Sequence, residues 1–143
     1  MATTDKAQAQ LRLRVLSPLG SVVDAEVDSV MLPGLLGDFT VLSDHHETVA
    51  QLRAGIGKYT AGDEHGVLSL IGGVATVRND EVEVLAPVCE RADELDEARA
   101  RDAQRRAEER LADQTEGTDI ARARAALHRA LLRLEATQLL RQK

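Results

Sequence analysis

Aromatic residues are almost missing from this chain: one Tyr (Tyr59), one Phe (Phe39) and no Trp. That excludes a stacking platform for single-stranded nucleic acid. A single cysteine, Cys89, excludes an intrachain disulfide framework and a cysteine zinc cluster. Positive charge is in deficit, 18 bases against 24 acids, so a general nucleic-acid binder is not expected. No run approaches the roughly 18 apolar residues of a membrane span. The first ten residues, MATTDKAQAQ, lack the apolar core of a secretory signal. The expectation is a soluble cytoplasmic protein that reaches a membrane only through a partner.

What is present is distributed unevenly. All three prolines, nine of the ten glycines and all thirteen valines lie at or before Val88. From 88 onward there are 11 Arg and 12 Ala, one Gly and no Pro. β-branched residues punctuated by Gly and Pro favour strands and turns, whereas Ala, Arg, Leu and Glu favour helix. The chain therefore divides into a β domain over 1–87 and a helical segment over 88–143, jointed between Pro87 and Asp93. The fold class is α+β: an N-terminal antiparallel β-sandwich, then a two-helix antiparallel hairpin.

Period-2 alternation in Leu11-Arg12-Leu13-Arg14-Val15 predicts a half-buried strand. Further strands are expected over 21–32, 39–42, 54–60, 67–71, 74–78 and 82–85. Turns are expected at Ser17–Gly20, Gly62-Asp63, His65-Gly66 and Asn79-Asp80, with a Pro/Gly loop over Leu32–Asp38. The first helix should run from Asp93 to about Thr115, with Gly117 as its C-cap. The second should run from Ile120 to about Leu140, capped by Thr118 or Asp119. Expected packing stripes are Ala100, Ala103, Ala107 and Leu111 on the first helix and Ile120, Leu127, Leu131 and Leu134 on the second. Alanine buries little area, so the contact should be weak for its length. Charge separates the pieces: residues 1–87 carry −6, residues 90–116 carry −4 and residues 119–143 carry +4.

Catalytic signatures are lacking. There is no phosphate-binding Gly loop, no G-x-S-x-G and no H-E-x-x-H. Asp44-His45-His46-Glu47 alternates across a strand and is read as a polar turn rather than a metal site. Gly72-Gly73 is read as a bulge or tight bend, and Cys89 as an inert thiol.

The order of features resembles the epsilon subunit family of F-type ATP synthases. The resemblance rests on Val15-Leu16-Ser17-Pro18 with Gly20, Leu32-Pro33-Gly34 with Gly37-Asp38-Phe39, and Leu42 with His45. It continues through Leu52–Gly55, Gly72-Gly73, Val84-Leu85-Ala86, Leu95–Ala100, and Arg129-Ala130 with Arg133-Leu134. It implies a non-catalytic central-stalk (rotor) subunit with no active site of its own. Such a subunit couples proton flow to rotation and restrains ATP hydrolysis through mobile C-terminal helices. The implied partners are the gamma subunit, the c-ring and, through the last helix, the alpha/beta catalytic head. The implied location is peripheral, on the cytoplasmic face of the bacterial plasma membrane. Gly34, Leu35, Leu36, Gly37, Asp38 and His45 would face the rotor. ATP would be a regulatory ligand rather than a required cofactor, held by Glu90, Leu95, Asp96, Arg99, Ala100, Arg106, Arg129 and Arg133. The basic face Arg122, Arg129 and Arg133 would inhibit hydrolysis. Two other classes stay open: a freestanding ATP-sensing module, and a small enzyme for which no nucleophile–base pair can be nominated.

Overall fold

The computed structural model describes residues 10–113, 117 and 119–142. Ten strands come first: β1 Leu11–Ser17, β2 Gly20–Val27, β3 Ser29–Gly34, β4 Gly37–Val41, β5 Thr48–Leu52, β6 Gly55–Ala61, β7 Glu64–Ile71, β8 Gly73–Arg78, β9 Glu81–Leu85 and β10 Val88–Arg91. A single 3₁₀ turn at Ala92–Glu94 leads into α1 Glu97–Ala112 and α2 Ile120–Arg141.

The strands form two layers, β10-β7-β6-β3-β4 and β5-β8-β9-β1-β2, joined where Gly34 of β3 pairs with Leu52 of β5. Pairing is antiparallel except between β1 and β9, which run parallel. Alternation makes the core. Leu11, Leu13 and Val15 point inward beside Val82 and Val84, opposite Leu32, Leu68 and Leu70 of the other layer. The expected sandwich is therefore present.

Several boundaries differ from the expectation, each for a local reason. The run 21–32 is two strands. Asp28 breaks it, accepting a hydrogen bond from the Gly62 N–H at 2.6 Å, and the chain crosses there from one layer to the other. Strand β5 lies outside the expected strands: its burial alternates, but Val49 takes an outward position, 74% exposed, and Thr48 an inward one, so polarity does not follow burial. His65-Gly66 is strand rather than turn. A Cβ on Gly66 would stand 2.1 Å from the ring of Tyr59, its cross-strand partner, so the glycine makes room for an aromatic ring. Strand β10 pairs with β7, which carries the β domain through Arg91 instead of ending it at Pro87.

Gly72 and Gly73 do form the tight bend. Gly73 has φ +122°, and a Cβ on it would stand 2.5 Å from the Leu85 carbonyl oxygen. Gly73→Ala should cost about 2–3 kcal/mol, combining backbone strain with a clash that backbone cannot relieve. Urea unfolding of the variant checks this, and an unchanged midpoint would refute it.

The helices begin at carboxylate caps. Asp96 accepts from the Arg99 N–H and Asp119 from the Arg122 N–H. Thus α1 starts at Glu97, not Asp93, because Asp93 and Glu94 belong to the 3₁₀ turn. Its C-cap is Asp113 rather than Gly117. Thr115 and Thr118, expected as a helix end and a cap, lie outside the described residues. Arg141 at the end of α2 meets Glu97 at the start of α1, so the hairpin is antiparallel.

The packing faces are set by small residues. Ala100 and Ala107 on α1, and Ala123, Ala130 and Thr137 on α2, are buried at intervals of seven. This is the spacing of a coiled-coil seam narrow enough for close approach. Ile120 and Leu131, expected inside, are exposed, and the buried leucines are Leu132 and Leu134. A second side of α2 meets the sandwich. Ala136, Leu139 and Leu140 pack on Val67, Ile56, Ala92 and Leu95.

Candidate functional site

Two regions carry the residues singled out above. The first is the tip between β3 and β4, where Leu35 and Leu36 form a two-residue hairpin turn held by Gly34↔Gly37 pairing. A Cβ on Gly34 would stand 2.5 Å from the Gly37 carbonyl and touch the Phe39 ring, so only glycine closes this turn. The expected loop is thus a tight hairpin end with both leucines exposed. Asp38 at its base pairs with Arg53. Strand register brings Leu85 and Val74 to the same end of the sandwich, with Leu19 in the β1–β2 turn. All three are exposed, so the tip belongs to an apolar patch of the kind that marks a protein contact.

His45 is not part of that patch. Its loop lies beside the β8–β9 turn, where the Asp44 N–H donates to Asp80 at 2.7 Å. The tip lies at the Leu85 end of β9, about 16 Å away along that strand. His45 instead stacks on His46, with ring centroids 4.5 Å apart.

The second region is the joint between sandwich and hairpin. Glu90 on β10 and Arg133 on α2 form a half-buried ion pair at 2.7 Å. This is the one pairing among the expected nucleotide residues that the structure makes between elements. Leu95 packs in the docking cluster with Ala136. The Asp96 carboxylate is engaged as the α1 cap. Ala100 is buried on the face of α1 that packs on α2. Arg99, Arg106 and Arg129 are exposed and make no ion pair among the described residues.

Of the expected basic face, Arg122 and Arg129 stay exposed, while Arg133 is committed to Glu90. Among the described residues the stripe makes no ion pair with an acid of α1. Glu97 was missed by sequence reasoning. It takes Arg101 one turn on, at 2.8 Å, and Arg141 from α2. The i,i+4 spacing signalled the first contact, and no local pattern could signal the second.

Cys89 lies in the core, and burial, with Glu90 beside it, pushes its thiol from 9.0 up to about 12. At pH 8 a thiol reagent should therefore label the native protein far more slowly than the unfolded chain. Because the folded value lies above the unfolded one, Cys89 contributes stability below pH 9. That contribution is lost as the pH rises toward 12. Timed labelling with and without denaturant tests the first point, and equal rates would refute it.

Comparison with known proteins bears on both regions. A family model described as ATP synthase, Delta/Epsilon chain, beta-sandwich domain matches residues 10–92. A second, the long alpha-helix domain of the same chain, matches residues 93–138. The ATP synthase epsilon chain of Syntrophobacter fumaroxidans is 37% identical over 90% of this chain and 96% of its own length. That of Moorella thermoacetica is 39% identical over 90% of this chain and 96% of its own length. A chain in the cryo-EM structure of the Euglena gracilis mitochondrial ATP synthase (OSCP/F1/c-ring) has the same fold. Its TM-score is 0.74 at 22% identity, covering 91% of this chain and 82% of that one.

Proposed function

The chain belongs to the ATP synthase delta/epsilon chain family, as an epsilon subunit, and from that premise we propose how its two parts divide the work. The β-sandwich is the rotor-binding part. Its exposed end, with Leu35, Leu36 and Asp38, faces the c-ring and the gamma subunit and passes proton-driven rotation to the shaft. The helical hairpin is the regulatory part. It leaves the sandwich, extends toward the alpha/beta catalytic head and restrains ATP hydrolysis. The protein performs no catalysis itself and works peripherally, at the cytoplasmic face of the plasma membrane. No helix among the described residues is long and apolar enough to cross a membrane.

The observation that supports this division is how differently the two parts are held. The sandwich has its own core between two layers. The hairpin rests on it through a few side chains around Ala136 and the Glu90–Arg133 pair. A small docking contact beside a self-sufficient core permits one part to move while the other stays folded.

ATP acts in this reading as a ligand of the docked state. Asp96 and Arg99 come from the start of α1, and Arg129 and Arg133 from α2. A ligand that needs both helices has differential affinity for the folded-back form and so shifts the balance toward it. Arg133 must exchange Glu90 for phosphate oxygens, which weakens binding. Calorimetry with ATP should show binding that is lost in Arg129→Ala/Arg133→Ala.

The deciding experiment adds the purified chain to an ATPase core depleted of its own epsilon subunit. Binding and a lowered hydrolysis rate are expected. ATP binding by the free chain with no affinity for the core would instead identify a freestanding nucleotide sensor.

A further inference from the structure

Arg53 stands where the tip and the hairpin meet. Its backbone N–H donates to the Pro33 carbonyl at 3.0 Å, and the Leu35 N–H donates to the Gln51 carbonyl at 2.8 Å. The residue is thereby fixed to the base of the tip. Its guanidinium donates to the Ala54 carbonyl at 3.2 Å and meets the Asp38 carboxylate. It lies across Gly55, where a Cβ would stand 2.8 Å from Nη1, so the glycine keeps this bed open.

Asp38 and Arg53 also line a groove of about 480 Å³ between the sandwich and α2. The helix contributes His128, Leu132, Glu135 and Leu139 to it, and β6 contributes Lys58. Glu135 is exposed and makes no ion pair among the described residues. One guanidinium therefore faces a groove with two carboxylates, one at the base of the tip and one on the movable helix.

We infer that Arg53 is exchanged between Asp38 and Glu135, so that a basic partner group engaging Asp38 at the tip hands Arg53 to α2 and tightens the docked hairpin. This rests on the reading above, in which the tip meets a rotor partner and the hairpin can leave the sandwich. With Asp38 free, it competes for the guanidinium. With Asp38 taken, Glu135 is the remaining carboxylate in the groove. Lys58 and His128 can also attract Glu135, but that attraction does not depend on Asp38 and cancels in the comparison. Linkage makes the effect reciprocal: a docked hairpin strengthens the basic partner's hold on Asp38. Both groups are solvent-exposed, so the shift is modest, about 2- to 5-fold in the docking equilibrium.

Hydrogen exchange of amides 132–140 in the full-length protein tests this, with Asp38→Ala standing in for an engaged Asp38. Exchange should slow about 2- to 5-fold relative to the wild type. The slowing should vanish in Asp38→Ala/Glu135→Gln and in Asp38→Ala/Arg53→Gln. No slowing, or slowing that survives either second substitution, overturns the inference. Glu90→Gln separates this from the wider reading. If it quickens exchange of these amides while Asp38→Ala does nothing, the hairpin is mobile and the Arg53 exchange alone is wrong. If these amides exchange at the rate of the sandwich core, in the wild type and in Glu90→Gln alike, the hairpin never opens separately. Both readings then fail.

Discussion

An ATP synthase carrying this subunit truncated after Glu116 should assemble, synthesise ATP and hydrolyse it faster than the intact complex, by about fivefold or more. That factor is the lower end of typical coupling between distinct sites. The truncation removes all of α2. The sandwich keeps its core, because the residues that fill it lie between Leu11 and Cys89. Two arginines make α2 a candidate inhibitor. Arg122 and Arg129 are exposed and without ion pairs among the described residues even when the hairpin is docked. Arg133 joins them only when Glu90 releases it, so undocking adds a third charge to the stripe at the moment the helix is free. A segment of net +4 on a protein of net −6 suits an acidic groove. The remaining hydrolysis should also respond less to salt, since the screened attraction is gone. Equal hydrolysis rates in intact and truncated complexes would make α2 purely structural.

How far the sequence carried this picture depends on which signal each residue left. Alternation is local, so β1, β8 and β9 were legible: Leu11, Leu13, Val15, Ala75, Val77, Val82 and Val84 are buried, while Arg12 and Arg78 between or beside them are exposed. Strand β5 exposes Val49 and buries Leu52 beside Gly34, an arrangement set by pairing across the sandwich rather than by its own residues. Gly66 illustrates the other failure. A glycine invites the reading of a turn, yet here it admits the ring of Tyr59 from the neighbouring strand. In the helices, weight given to leucine put Leu131 inside, although it is 45% exposed. The alanines decide the seam because they let the helices approach, and α2 buries two sides rather than one. At the candidate sites, Asp38 and Arg133 could be picked out one by one. Their partners Arg53 and Glu90 are 15 and 43 residues away, and such pairings follow only from the fold.

Ala136→Leu should undock the hairpin without unfolding the protein. Ala136 has 0% exposure and sits under the contact with Val67 and Ala92. Three added carbon atoms have no space there, and overpacking of this kind costs about 1–3 kcal/mol. The whole cost falls on the docked state, because the undocked helix presents position 136 to solvent and Leu is a good helix former. Amides of 132–140 should then exchange about 5- to 150-fold faster, while those of β1, β7 and β9 keep their wild-type rates. Leu131→Ser, on the exposed side of α2, should leave both sets unchanged. In the assembled enzyme Ala136→Leu should lower hydrolysis, opposite in sign to the truncation, because the helix is released rather than removed. Opposite signs from two lesions in one segment distinguish a regulatory helix from a structural strut, which both lesions would merely weaken. If Ala136→Leu instead lowers the denaturation midpoint of the sandwich and quickens exchange throughout the chain, the two parts unfold together and the hairpin is not an independent element.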